Sequence, residues 1–156
     1  MHIFIAGVMQ GSRLDDQRHD QDYRKQIIEA LDEHVPDARI TDPWSLEPES
    51  TSYDATRLRE AFLKNTVLAG EADLLIAYLP HASMGTAIEL WTAYHNRAYI
   101  VAVTPMTHNW VVQITADEVL PDLDSLLEYI QSGRLGRQLT THLMHRLSVD
   151  GRESPV

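Results

Sequence analysis

The stretch ADLLIAYLPHASMGTAIELWTAY, residues 72–94, decides the fold. Its first part, ADLLIAYL (72–79), is an unbroken aliphatic run. It is too short for a buried helix and too apolar for a strand with one wet face, so it reads as a strand covered on both sides. Pro80 closes it. Ser83 has the short hydroxyl that accepts a hydrogen bond from a first-turn amide, which predicts a helix over 83–96. Strand, tight turn and helix in that order are half of a parallel βαβ unit. One residue does not fit a segment built for burial: Glu89, a lone carboxylate among apolar and small neighbours.

Working outward, the same alternation repeats. HIFIAGV (2–8) is a second buried strand, ending at Gly7. Tyr23, Ile27, Ile28, Leu31 and Val35 recur at helical spacing and predict a helix over 19–35. ARIT (38–41) is a short strand, and DPWSLEPES reads as a loop because of its two prolines and turn residues. Leu58, Ala61, Phe62, Asn65 and Leu68 mark a helix over 54–70. AYIVAVT (98–104) is a strand stopped by Pro105. NWVVQIT (109–115) reads as a further strand or a packed loop. Leu123, Leu126, Leu127 and Ile130 predict a helix capped near Gly133, and Leu135, Leu139 and Leu143 predict a last one. The fold class is therefore α/β. It is a small doubly wound sheet, flavodoxin-like or Rossmann-like, of about five mostly parallel strands with helices on both faces. Residues 1–148 are expected to form one domain, with 149–156 as a frayed tail.

The chain has 156 residues and no cysteine, which excludes disulfides, thiolate metal sites and cysteine nucleophiles. No apolar run is long enough to cross a bilayer, and no basic leader precedes the first strand. A cytoplasmic protein with no membrane partner is expected. The formal net charge is −10 and the only lysines are Lys25 and Lys64. Such a surface repels a phosphate backbone, so polymeric nucleic acid is not an expected partner. A small anionic ligand held by a few local donors fits better. The histidines lack the spacing of a metal site, so no metal and no other cofactor is expected.

In doubly wound folds ligands bind beyond the carboxyl ends of the strands. Three segments should meet there: 7–13, 78–89 and 104–110. In the first, Gly7 and Gly11 bracket a loop whose amides can wrap an anion, with Gln10, Ser12 and Arg13 beside them. In the second, Gly85, Glu89 and Ala93 are spaced four apart on one helix face, so two small residues leave room above the carboxylate. The plainer alternative is that Ser83 only caps the helix and Glu89 is solvated or paired with an arginine. His81 and His108 lie in converging loops and either could donate a proton near neutral pH. Trp44 and Trp110, in loops, could stack on a planar base.

Taken together, IFIAGVMQGSR and the Ala-Asp strand followed by Ser-x-Gly and a Glu six residues after the Ser resemble the nucleoside 2-deoxyribosyltransferase-like superfamily. The pattern looks most like its nucleoside 5'-monophosphate N-glycosidases, over residues 1–105. The resemblance implies cleavage of an N-glycosidic bond, by hydrolysis or 2-deoxyribosyl transfer. Glu89 would be the nucleophile or the stabiliser of the cationic sugar. It implies substrate contacts from Gly7, Gln10, Gly11, Arg13, Ser83 and Gly85, and from Asn109, in a region that reaches a neighbouring subunit in related enzymes. It also implies a homodimer or larger assembly. Two positions depart from the pattern. Val8 and Gln10 stand where the family offers a hydroxyl and an arginine. Asn65 stands where it commonly has an aspartate that handles the leaving base, and an amide cannot protonate a base. His81, His108 or Asp16 would have to supply that proton. The alternative from another class is a nucleotide-binding or sensor domain that kept the pocket and lost the acid.

Overall fold

The computed structural model describes residues 1–10, 18–47 and 50–150. Gly11 and Arg13, with Ser12 and Asp16, lie outside the described residues. Five strands form one sheet: β1 (His2–Gly7), β2 (Arg39–Thr41), β3 (Leu74–Tyr78), β4 (Tyr99–Val103) and β5 (Glu118–Leu120). Their order is β2-β1-β3-β4-β5, and every pairing is parallel. The expected doubly wound architecture is what the chain adopts, with the sheet wholly rather than mostly parallel.

The helices follow the expected alternation. They are α1 (Asp22–His34), α2 (Pro43–Leu46), α3 (Ala55–Gly70), α4 (Met84–His95), α5 (Trp110–Thr115), α6 (Leu123–Gln131) and α7 (Arg134–Asp150). Side chains of successive strand residues point to opposite faces. Ile3, Ile5, Leu74, Ile76, Tyr99 and Val101 enter the core under α1, α6 and α7. Phe4, Ala6, Leu75, Ala77, Ile100 and Ala102 enter the core under α3 and α4. Ala6, Ala77 and Ala102 are paired across three strands, one residue before their carboxyl ends. This row of small side chains leaves space on the α3/α4 face where the strands end.

Two segments differ from the sequence reading. DPWSL is not simply loop: Asp42 accepts the Trp44 amide and Pro43 opens the short helix α2, the favoured first-position proline. NWVVQIT is helix α5 rather than strand or loop, because the Asn109 side chain accepts from the Val111 and Val112 amides. Trp44 and Trp110 therefore sit on helices. The fifth strand instead lies at Glu118–Leu120 and was not expected.

Gly133 has φ of 71° at the end of α6, a left-handed position that costs a side chain about 1 kcal/mol. Gly136 lies inside α7, and a Cβ there would meet nothing within 4 Å. We expect Gly133→Ala to destabilise the chain by about 1 kcal/mol, and Gly136→Ala to stabilise it by about 0.5–1 kcal/mol. Denaturant midpoints of the two variants check this pair of opposite signs.

Candidate functional site

In the order β2-β1-β3-β4-β5 the crossover from β1 leaves toward β2 and that from β3 leaves toward β4. The crevice between β1 and β3 is the topological switch point, where such sheets bind ligands. Gly7 pairs with Tyr78 at its floor. The Tyr23 ring stacks on Tyr78 at 4.1 Å between centroids. A Cβ on Gly7 would collide with the Tyr23 hydroxyl, so the glycine is what lets that phenol lie over the end of β1. At the mouth, the rings of His19 and His81 are 5.5 Å apart, which brings the loops after β1 and β3 together.

Helix α4 starts at Ser83. Its Oγ accepts from the Thr86 amide at 3.4 Å and from the Thr86 hydroxyl at 3.1 Å, so the Ser83 proton remains to donate. Ser83 and Asn109 both line a small apolar recess of about 60 Å³, with Leu79, Leu90 and Met106 behind them. The Asn109 carbonyl is committed to capping α5, and its NH2 group is the part left for a ligand. Gln10 is exposed, Gly7 is buried and Gly85 is half-buried. His108 is exposed, on the α5 side of the recess.

Glu89 lies in the second turn of α4, between Gly85 and the buried Ala93 on one face. Among the described residues it makes no hydrogen bond and no ion pair. Burial pushes its pKa from 4.5 up to about 8, and the field of Arg24 works against that rise. The residue is half-buried, and among the described residues no arginine is paired with it.

Asn65 occupies the matching place on α3. Ala61, Asn65 and Ala69 are spaced four apart, and both alanines are buried. The α3 and α4 helices pack together and run the same way, since each returns from the sheet's carboxyl edge. Gly70 packs so closely on α4 that a Cβ would stand 3.0 Å from Thr92 and 3.1 Å from Asn96. Five residues back along both helices, Asn65 falls level with the turn that carries Glu89. Its Oδ1 is buried and, among the described residues, has no hydrogen-bond partner, a costly arrangement for an amide unless something else fills the gap.

Tyr23, Arg24 and His19 carry no motif and are not expected as site residues from the sequence. Arg24 is 2% exposed. Its signal is a charge at helical spacing with Ile27 and Leu31, on the buried stripe of α1.

No protein-family model matches the chain, and no curated protein does. Among solved structures, the chain is similar to a 2-deoxyribosyltransferase from the psychrotolerant bacterium Bacillus psychrosaccharolyticus. The TM-score is 0.60 at 14% identity, over 83% of this chain and 92% of that one. It is also similar to a conserved protein from Enterococcus faecalis V583, with a TM-score of 0.54 at 19% identity over 84% and 97% of the two chains. A CMP N-glycosidase from Clostridium botulinum aligns at a TM-score of 0.48 and 13% identity, over 84% and 98%, and adds nothing to the comparison. At these identities the likeness is one of fold: the sheet and helices are arranged as in those two proteins. No helix among the described residues is long and apolar enough to cross a membrane.

The raised pKa of Glu89 fixes a stability prediction. The folded chain holds a proton on Glu89 up to about pH 8, whereas an unfolded glutamate releases it near 4.5. Folding is therefore weakened as pH rises from 4.5 through 8. Glu89→Gln removes that loss. We expect it to match the parent below pH 4.5 and to exceed it by about 1–3 kcal/mol at pH 9. Thermal unfolding across pH measures the difference. A variant less stable than the parent at pH 9 would contradict the burial of this carboxyl.

Proposed function

We propose that this chain is an enzyme that cleaves the N-glycosidic bond of a nucleoside or nucleoside 5'-monophosphate, with Glu89 at the anomeric carbon. The observation that carries this reading is Glu89 itself: a half-buried carboxyl with no bonded partner among the described residues, on the helix that follows β3 and flanked by Gly85 and Ala93. A carboxylate kept free of counter-ions answers a positive charge that develops only during reaction. As the bond from C1' to the base nitrogen breaks, its electron pair leaves with the base and the sugar becomes oxocarbenium-like. Glu89 attacks C1' or stabilises that cation. Water, or a second base, then takes the sugar and frees the carboxylate. The candidate contacts are Ser83, Gly85 and Asn109 on one side of Glu89. On the other are Gly7 and Gln10, with Gly11 and Arg13 from the sequence reading.

Asn65 supplies the base end of this site. Its amide can hydrogen-bond a base but not protonate it, so the proton comes from elsewhere, and His81, at the mouth beside His19, is our candidate donor. The amide also favours a second reading, a nucleotide-binding or sensor domain that binds without turnover.

We also propose that the working unit is a homodimer or larger. Phe62 and Leu63 on α3, Ile88 and Trp91 on α4, and Trp110 and Ile114 on α5 are all exposed. The chain carries ten more acidic than basic side chains, so two copies meet most favourably through an uncharged face that keeps acidic surfaces apart. In the enzymes that the sequence resembles, the region matching Asn109 reaches a neighbouring subunit, and here that segment opens α5.

Three outcomes test these readings. A panel of nucleosides and 5'-monophosphates, with and without an acceptor base, should release free base. Glu89→Ala and Glu89→Gln should cut kcat/KM by on the order of 10³-fold or more. Binding without release by the parent would favour the sensor domain. Because the reacting Glu89 is the ionised form, kcat/KM should rise with pH, with a midpoint near 8. A rate that falls through that range would rule out the nucleophile role. In sedimentation, Trp91→Glu should convert the parent's oligomer to a monomer, and a monomeric parent would end the dimer reading.

A further inference from the structure

Two imidazole rings meet at the mouth of the crevice, one from the chain before α1 and one from the turn after β3. The His19 amide donates to the Met9 carbonyl at 2.8 Å, and the His19 carbonyl accepts from Gln21 Nε2 at 2.8 Å. The backbone is thereby pinned where it carries the first ring. His81 follows Pro80, between β3 and α4. The ring centres are 5.5 Å apart and the ring planes are inclined at 43°.

Other histidines spend a ring nitrogen inside the fold. His2 faces the Glu71 carbonyl and the Thr41 hydroxyl, His34 the Ala30 carbonyl, and His142 the Arg97 carbonyl. Among the described residues neither His19 nor His81 makes a ring hydrogen bond. In its neutral form each ring keeps a nitrogen lone pair to offer. His81 is exposed and His19 half-buried, so contact between the rings buries little apolar surface and gives only a weak reason for the pairing.

The spacing has a chemical reading. A metal–imidazole bond of about 2.0–2.1 Å puts the ring centre about 3.2 Å from the ion, and two such rings at tetrahedral or trigonal angles have centres about 5.2–5.5 Å apart. The observed separation falls in that range. Among the described residues no third His, Asp or Glu completes the group, so the remaining positions around an ion fall to water. Two imidazoles with water suit Zn²⁺, Ni²⁺ or Cu²⁺ rather than Mg²⁺ or Ca²⁺, which take oxygen ligands. The formal charge of −10 draws cations of every kind toward the surface, and the imidazoles add the selectivity.

We propose that His19 and His81 form a two-imidazole site for a borderline divalent metal ion such as Zn²⁺, and that the ion ties the segment around His19 to the turn around His81 across the crevice. The sequence reading expects no metal, because the histidines lack ligand spacing along the chain. The pairing of β1 with β3 is what brings these two together. An ion with two protein ligands exchanges with solvent, unlike a structural zinc whose four protein ligands close its sphere. It is a reversible occupant of the mouth and not a support of the fold. The site does not depend on the glycosidase reading, and its test uses no substrate.

The full chain is titrated with ZnCl₂ by calorimetry as the parent, His19→Ala, His81→Ala, the double variant, and His145→Ala as a control at an exposed position of α7. The parent and His145→Ala should bind one ion per chain. Each single variant should bind about tenfold or more weakly, and the double variant should be little worse than either, because one imidazole alone does not chelate. Excess Mg²⁺ should leave the zinc isotherm unchanged. With Cu²⁺, electron paramagnetic resonance should show splitting from two imidazole nitrogens in the parent and from one in each single variant. Zinc should slow hydrogen exchange at the His19 and Ala82 amides together in the parent, and at neither in His81→Ala. A parent that binds no stoichiometric zinc, single variants that bind as the parent does, or competition by Mg²⁺, which would mark surface carboxylates as the ligands, overturns the site. Slowed exchange on one side only overturns the tie across the crevice.

Discussion

The parallel pairing of β1 with β3, from Ile3 against Leu74 to Gly7 against Tyr78, is the constraint on which the rest depends. These two strands are not neighbours in the sequence. With β2 outside the pair, the crossover α1 covers one face and the crossovers α3 and α4 that follow cover the other. The crevice above the pair follows from that topology and needs no special loop to create it. The pairing also aligns Ala6 with Ala77, so the face that receives α3 and α4 is low just where the strands stop. On the opposite face the same register brings Tyr23 and Tyr78 together over Gly7. One set of backbone hydrogen bonds thereby builds a shallow side for a ligand and a packed, aromatic side for support.

Electrostatics in this frame runs against stability. A half-buried carboxyl and a buried guanidinium nitrogen, each without a bonded partner among the described residues, lie beside the crevice. The carboxyl answers by keeping its proton to about pH 8, and the guanidinium keeps its charge against Asp42. They persist because backbone geometry over-determines them: α4 is fixed by its cap and by Leu90 and Ala93 in the core, and α1 by Ile27 and Leu31. The sheet supplies the stability that these two groups draw down. Such an imbalance is common where a charge must be ready for chemistry rather than already satisfied.

Much of this was legible in the sequence, for physical reasons that differ by element. The three central strands are long apolar runs, and covered parallel strands leave no other reading. Helices α3, α4 and α6 carry Asp54, Ser83 and Asp122 as caps, so their starts fell within a residue or two. The misreadings came from short pieces. Val111, Val112 and Ile114 have strand propensity, but six residues capped by Asn109 gain more from two side-chain hydrogen bonds than β-branching costs. The three-residue β5 is too short for periodicity to register. In the site, Glu89 was conspicuous because it is the one acidic residue in an apolar helix. Arg24 was not, although an arginine on an apolar stripe requires a buried counter-charge. Asp42, in a stretch read as loop, gave no hint of being that partner.

Under the proposed glycosidase reading the two ends of the reaction are unequally provided for, and that inequality bears on the substrate. In that reading Glu89 would serve the sugar end. The base end would have Asn65, whose carbonyl oxygen is buried and, among the described residues, unpaired. An unpaired acceptor is satisfied by a donor on the ligand, such as an amino group or ring N–H of a base, and is penalised by a carbonyl placed there. It holds such a base in place but does nothing to lower the energy of its anion. Departure then relies on a proton delivered at the mouth, where His81 and His19 stand, or on a base that leaves well unaided. The substrates favoured by this arrangement are those whose base offers a hydrogen to Asn65 and a basic ring nitrogen toward the mouth.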